Sequence, residues 1–148
     1  MEWNTATIED FEQATREILE VVSRNYSNSD KKKTCVLCLH GDLGSGKTTM
    51  TQLLGKLLGV TDTINSPTFV IKKSYKTSHE LFTQMIHMDA YRLEGEHNLD
   101  IFHLDQDITS PNTLMIIEWP ELISEIIPDD AINIFIEHTP GGRKIILQ

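Results

Sequence analysis

The sequence predicts an α/β fold in one domain over residues 1–148, with a mixed central sheet flanked by helices. Three observations carry this expectation. The apolar run Cys35-Val36-Leu37-Cys38-Leu39 passes through a glycine-rich segment straight into a helical pattern beginning at Thr49. Leu114-Met115-Ile116-Ile117 is a continuous apolar run, the mark of a strand buried on both faces of a parallel sheet. Thr68 to Tyr75 and Leu81 to Met88 read as two further strands, close enough in sequence to form a hairpin and so to add an antiparallel pair. A chain of 148 residues is long enough to bury one core, and no internal repeat or second domain is visible.

Taken in order, Thr7 to Arg24 reads as an amphipathic helix. Thr7 is its N-cap, Glu9 and Asp10 lie in its first turn, and Ile8, Phe11, Ile18 and Val22 form its apolar stripe. Asn25 to Lys33 is a polar connector ending in three lysines. Cys35 and Cys38 form a C-x-x-C, but residues three apart on a strand point to opposite faces, so two buried structural thiols are expected. The helix after the glycine-rich segment should stop near Gly59. Pro67 disfavours helix at Ser66, so Asn65 to Ile71 reads as a loop entering a strand. The second hairpin strand runs out at Asp89-Ala90-Tyr91-Arg92. Glu94 to Asn112 is acidic and irregular, with a short helix around Leu99 to Leu104. Pro120 suits the first position of a helix covering Glu121 to Ile127. Ala131 to Glu137 alternates with Ile132, Ile134 and Ile136 on one face, and Thr139 to Gly142 turns the chain into a closing strand, Arg143 to Leu147.

The chemistry sits in Gly41-Asp42-Leu43-Gly44-Ser45-Gly46-Lys47-Thr48-Thr49. It fits the pattern of Gly, four residues, Gly, Lys and Ser/Thr, with the required strand before and helix after, which predicts a P-loop NTPase-like fold. Glycines let the backbone turn its amides toward phosphate oxygens, and the helix N-terminus adds unpaired N–H groups and a positive dipole end. Lys47 is placed to reach the outer phosphates of a nucleoside triphosphate, and the Thr48 hydroxyl to enter a Mg²⁺ shell. Hydrolysis further needs a metal, a positioned water and charge stabilisation. Glu118 ends the buried run and is expected to bind Mg²⁺ directly or through water. Asp89 ends the mixed run Met85-Ile86-His87-Met88 and is expected to orient the attacking water or share the metal. Thr68 has the setting of a γ-phosphate sensor. His87 reads as a packed histidine, and Trp119 as a shield over the nucleotide or a core filler.

The formal charge of −9 argues against a broad phosphate-tracking surface, so a nucleic acid would be held mainly by a partner. No apolar stretch approaches the roughly 20 residues of a membrane span, and Met1-Glu2-Trp3-Asn4 lacks a signal peptide's basic start, which makes the cytoplasm the expectation. On the residues alone three other readings stay open. A small-molecule kinase usually gathers several arginines; of Arg16, Arg24, Arg92 and Arg143, only Arg92 is near a candidate site segment. A regulatory GTPase would show an Asn-Lys-x-Asp segment, and none occurs. A nucleotide-sensing binding module would need no competent carboxylates, yet two are available.

Together the segments Gly41 to Thr48, Ser66-Pro67-Thr68-Phe69, His87-Met88-Asp89-Ala90-Tyr91-Arg92 and Ile117-Glu118-Trp119-Pro120-Glu121 resemble the TsaE family in order and spacing, from about Cys35 onward. The resemblance implies a small ATPase needed for threonylcarbamoyladenosine synthesis in tRNA, slow alone and stimulated by its partners TsaB and TsaD. Its hydrolysis would reset the TsaB–TsaD complex between rounds, with tRNA reached only through that complex. It implies that Lys47 and Thr48 cradle phosphate and metal, that Asp89 and Glu118 support hydrolysis, and that Ser66 to Phe69 respond to nucleotide. One departure concerns the acidic Asp-Leu-Gly segment usual in the family, which Leu99-Asp100-Ile101 and Leu104-Asp105-Gln106 match only approximately.

Overall fold

The computed structural model describes residues 1–30, 33–65, 71–93 and 103–148, with the Arg92 side chain outside the description. Ten elements follow in chain order. They are β1 (Glu2–Thr5), α1 (Ile8–Ser27), β2 (Cys35–His40), α2 (Lys47–Leu57), β3 (Lys72–Lys76), β4 (Gln84–Asp89), α3 (Leu104–Asp107), β5 (Thr113–Glu118), β6 (Ile132–Thr139) and β7 (Gly142–Leu147). Among the described residues two 3₁₀ segments, Ala90–Leu93 and Pro120–Ile126, follow β4 and β5. The strands form one sheet in the order β1-β7-β6-β2-β5-β4-β3. The four in the middle, β6, β2, β5 and β4, are parallel, and antiparallel pairs flank them on both sides. The mixed α/β sheet is therefore as the sequence predicts.

Alternation along the strands divides the core into two layers. Leu37, Leu39, Met85, Leu114 and Ile116 face α1 and α2, whose Ile18, Val22, Met50 and Leu54 cover them. Val36, Cys38, Ile86, Met88, Met115 and Ile117 face the other way, under Leu93, Leu104 and Ile123. Full burial of each such aliphatic side chain contributes about 1.5–3 kcal/mol, so both layers are needed to hold the parallel strands together. Cys35 lies in the first layer and Cys38 in the second, as the three-residue spacing predicts. Both thiols are free, and burial pushes each up to about 12, which makes them inert packing groups.

Helix α1 opens on a capping box. Thr7 Oγ1 accepts from the Asp10 N–H at 3.1 Å, and Asp10 Oδ2 accepts from the Ala6 and Thr7 N–H groups, each at 3.0 Å. Those backbone donors hold the Asp10 carboxyl below its ordinary value. Thr7→Ala is expected to cost about 1 kcal/mol, read as a lower urea midpoint at unchanged slope. Ile8 does not join the apolar stripe. At the first turn it is 57 % exposed, and the buried face runs instead through Phe11, Ala14, Thr15, Ile18, Leu19, Val22 and Tyr26.

The sheet gains one strand that the sequence did not announce, and one further expectation needs correction. Strand β1 was not visible in the sequence; it pairs antiparallel with β7, Trp3 opposite Ile145, and Trp3 Nε1–H donates to Glu17 Oε2 at 2.7 Å. A Cβ on Gly142 would lie 1.8 Å from the Thr5 carbonyl oxygen, so glycine is required where the chain closes on β1. The short helix expected around Leu99 to Leu104 falls mostly outside the description, at residues 99–102, and a short helix α3 runs from the buried Leu104. The segment after Pro120 is 3₁₀ and kinked at Ile123, not a regular α-helix. The expected strand from Thr68 is described only from Lys72, since residues 66–70 are outside the description, and Thr68 with them. Among the described residues, no helix is long and apolar enough to cross a membrane.

Candidate functional site

The parallel register assembles the site. β5 lies between β2 and β4, with Leu39 and Asp89 both opposite Glu118. The glycine-rich loop after β2 and the two carboxylates ending β5 and β4 therefore emerge side by side at the carboxyl edge of the sheet, where open α/β sheets bind ligands. Glu118 and Asp89 share the strand parity of Ile116 and Met85, which face α1 and α2, so both carboxylates point to the side on which α2 begins.

Gly41 to Gly46 turn the chain from β2 into α2. Gly46 has φ 118°, a left-handed conformation that a side chain would strain, and a Cβ there would also press on the Phe11 ring at 3.2 Å. Lys47, at the first turn of α2, is buried. Its Nζ donates to the Gly41 carbonyl at 2.5 Å and the Asp42 carbonyl at 3.0 Å, and lies 4.2 Å from the centre of the Trp119 ring. Burial pushes the ammonium below its ordinary value, while the carboxylates of Glu118, Glu121, Asp89 and Asp42 act in the opposite sense. Thr48 Oγ1 donates to Glu118 Oε1 at 3.0 Å, and Asp89 Oδ1 accepts from the Tyr91 N–H at 3.0 Å. Asp89 thus also caps the turn that follows it.

These groups surround a cleft of about 380 Å³, floored by Gly44, Gly46 and Lys47 to Thr49 and walled by Asp89, Tyr91, Glu118 and Trp119. Leu43 stands at its rim, 85 % exposed. Gly41, Asp42 and Ser45 lie outside the cleft lining; the first two hold Lys47 by their carbonyls, and Ser45 borders a second cavity of about 250 Å³. That cavity lies between the start of α1 and Arg143, and Gly44, Gly46 and Thr49 line both spaces. Trp119 has φ 59°, an uncommon conformation for a bulky residue, and its ring packs between Lys47 and Tyr91. It is partly buried against the second core layer and lines the cleft as well.

Two site residues escaped the sequence reading. Arg143, which its position after the last turn placed away from the site, donates from Nε to the Ser45 carbonyl at 2.9 Å and braces the loop from behind. No local signal marks it, because the contact spans 98 residues. His87 is fully buried, as a packed histidine would be, yet its Nε2 lies 2.5 Å from Glu118 Oε2. The signal was its place two residues before Asp89 on one strand, hence on the same face.

The donors facing the cleft suit Mg²⁺. Thr48 and Glu118 supply hard oxygens, and Asp89 stands beside them in register. Among the described residues, no group of three or more His, Cys, Asp or Glu forms a cage able to hold a metal alone. The fit is therefore to an ion that takes part of its shell from phosphate and water.

With this geometry, the chain matches the family model "Threonylcarbamoyl adenosine biosynthesis protein TsaE" over residues 6–145. The chain belongs to the TsaE family. It is 37 % identical over 114 residues to the tRNA threonylcarbamoyladenosine biosynthesis protein TsaE of Bacillus subtilis (strain 168), a match covering 75 % of this chain but 66 % of that protein. With the protein of the same name from Rickettsia bellii (strain RML369-C) it is 31 % identical over 143 residues, 96 % of this chain and 92 % of the other. Its fold is similar to the crystal structure of Bacillus YdiB, with a TM-score of 0.69 at 29 % identity, covering 98 % of this chain and 82 % of that one.

Proposed function

We propose that this TsaE family member is a Mg²⁺-dependent ATPase of the tRNA threonylcarbamoyladenosine (adenosine 37) machinery, a single cytoplasmic ATPase domain that resets the TsaB–TsaD complex between rounds. The observation that carries the enzymatic part is the placement of Asp89 and Glu118 opposite each other in the sheet, facing Lys47 and Thr48 across one cleft. The loop amides and Lys47 bind the phosphates, and Thr48 Oγ1 with Glu118 holds the ion. Mg²⁺, when bound, neutralises charge on the β- and γ-phosphate oxygens. Asp89 orients the attacking water, and Trp119 and Tyr91 form the outer wall of the cleft. The second cavity, which shares Gly44, Gly46 and Thr49 with the first, is the place this reading assigns to the nucleoside. The tRNA role rests on the family and on the two relatives' names. With a net charge of −9, this chain leaves tRNA to its partners.

Partner stimulation is expected mainly from the family, and the charge inventory of the described cleft adds a weaker ground. Among the described residues, no arginine lines it; Arg143 is engaged behind the loop, and Arg92, the arginine singled out from the sequence, has its side chain outside the description. Phosphoryl transfer commonly draws on an arginine or its equivalent, so TsaB–TsaD is expected to raise turnover by supplying one or by ordering the segment around Thr68. The test is steady-state phosphate release at fixed enzyme, saturating ATP and Mg²⁺, and increasing TsaB–TsaD. A rising curve is expected. A flat one, with the complex shown by gel filtration to form, would contradict the proposal.

A further inference from the structure

Glu118 has two carboxylate oxygens with different tasks. Oε1 accepts from the Thr48 hydroxyl at 3.0 Å, on the cleft side, while Oε2 lies 2.5 Å from His87 Nε2. Both members of the second pair are buried, with His87 at 0 % and Glu118 at 2 % exposure. A carboxylate can only accept, so the ring nitrogen donates. His87 Nδ1 meets no polar atom among the described residues, which leaves Glu118 as the one hydrogen-bond partner described for this ring. The strand register makes the contact possible: His87 is opposite Ile116 and Asp89 opposite Glu118, so His87 reaches diagonally to the neighbour strand's final residue on the same face. His87 does not line the cleft and cannot touch the nucleotide.

We propose that His87 is a positioning residue for the ion site: its Nε2–H holds Glu118 Oε2, and thereby fixes Oε1 toward Thr48 and the metal. This rests on the reading of Glu118 as a metal ligand. The physical ground is that a buried carboxylate with one unheld oxygen rotates about its last torsion and presents neither oxygen reliably. A donor behind it removes that freedom, and outer-shell partners of ligands typically govern metal affinity by 10–100-fold.

Mn²⁺ binding separates this role from simple packing. It is measured by electron paramagnetic resonance on the full chain with a non-hydrolysable ATP analogue, and referred to analogue binding in excess chelator. His87→Gln keeps an N–H donor at the end of a side chain; His87→Met has similar length and no donor. Mn²⁺ affinity is expected to fall about 10–100-fold in the Met variant and to be largely retained in the Gln variant. Wild-type affinity in the Met variant, or equal losses in both, would overturn the proposal. If the Met variant does not fold, judged by circular dichroism, His87→Leu supplies the donor-free comparison. Glu118→Gln, with His87 intact, is the control for the underlying reading. Unchanged Mn²⁺ affinity there defeats Glu118 as a ligand, and the inference with it. A loss there without one in the donor-free His87 variant defeats the positioning role alone.

Discussion

Lys47→Ala is expected to weaken triphosphate binding by about 10–100-fold, the equivalent of losing a charge-assisted hydrogen bond of roughly 1.5–3 kcal/mol. Lys47 is the one lysine lining the described cleft, and it faces Glu118, Asp89, Glu121 and Asp42. Removing it takes away the cation proposed to meet the outer phosphates and leaves that carboxylate group to repel the nucleotide. Titration of a fluorescent ATP analogue reads the effect, and the loss should be present with and without Mg²⁺. Unchanged affinity would mean that the loop does not bind phosphate.

The second large effect is on turnover. Asp89→Asn and Glu118→Gln are expected to bind ATP in excess chelator within about threefold of wild type but, with Mg²⁺, to hydrolyse it at least about 100-fold more slowly. Interactions realised mainly in the transition state lower kcat more than affinity. The two substitutions differ in detail. Asn at 89 can still accept from the Tyr91 N–H, so the turn should persist while the charged carboxylate that orients the water is lost. Gln at 118 has a single acceptor oxygen, whereas Thr48 and His87 each donate to Glu118. One of those donors must turn acceptor or lose its partner, and the Glu118 variant is expected to be the less stable of the two. Wild-type rates in both would remove these carboxylates from the mechanism.

The parts legible in the sequence were local ones. Gly41 to Thr49 announce themselves because loop conformation and helix start are encoded in consecutive residues, and α2 follows as expected. Leu114 to Glu118 was readable because a strand buried on both faces leaves no polar interruption before its functional end. The sheet's mixed character was readable from the hairpin of β3 and β4. What the sequence hid depends on register and distance. Strand β1 has only four residues, too few for a periodicity, and exists by pairing with β7 at the far end of the chain. Arg143 reaches the loop only because β7 stands beside β6 and turns back toward it. The link between His87 and Glu118 requires knowing that β4 lies next to β5 with Asp89 opposite Glu118. Ile8 was misassigned because helical spacing continues through the first turn, where the core has already ended.

The most direct test of the central claim, that Lys47, Thr48, Asp89 and Glu118 form an ATP-hydrolysing site, is single-turnover phosphate release. It would compare γ-labelled ATP and GTP, with Mg²⁺ and with excess chelator, in the presence and absence of candidate small-molecule acceptors. The account predicts free phosphate from ATP, dependent on Mg²⁺ and indifferent to the acceptors, with little from GTP. Transfer of the label to an acceptor would identify a kinase instead, and no cleavage with or without TsaB–TsaD would contradict hydrolysis altogether.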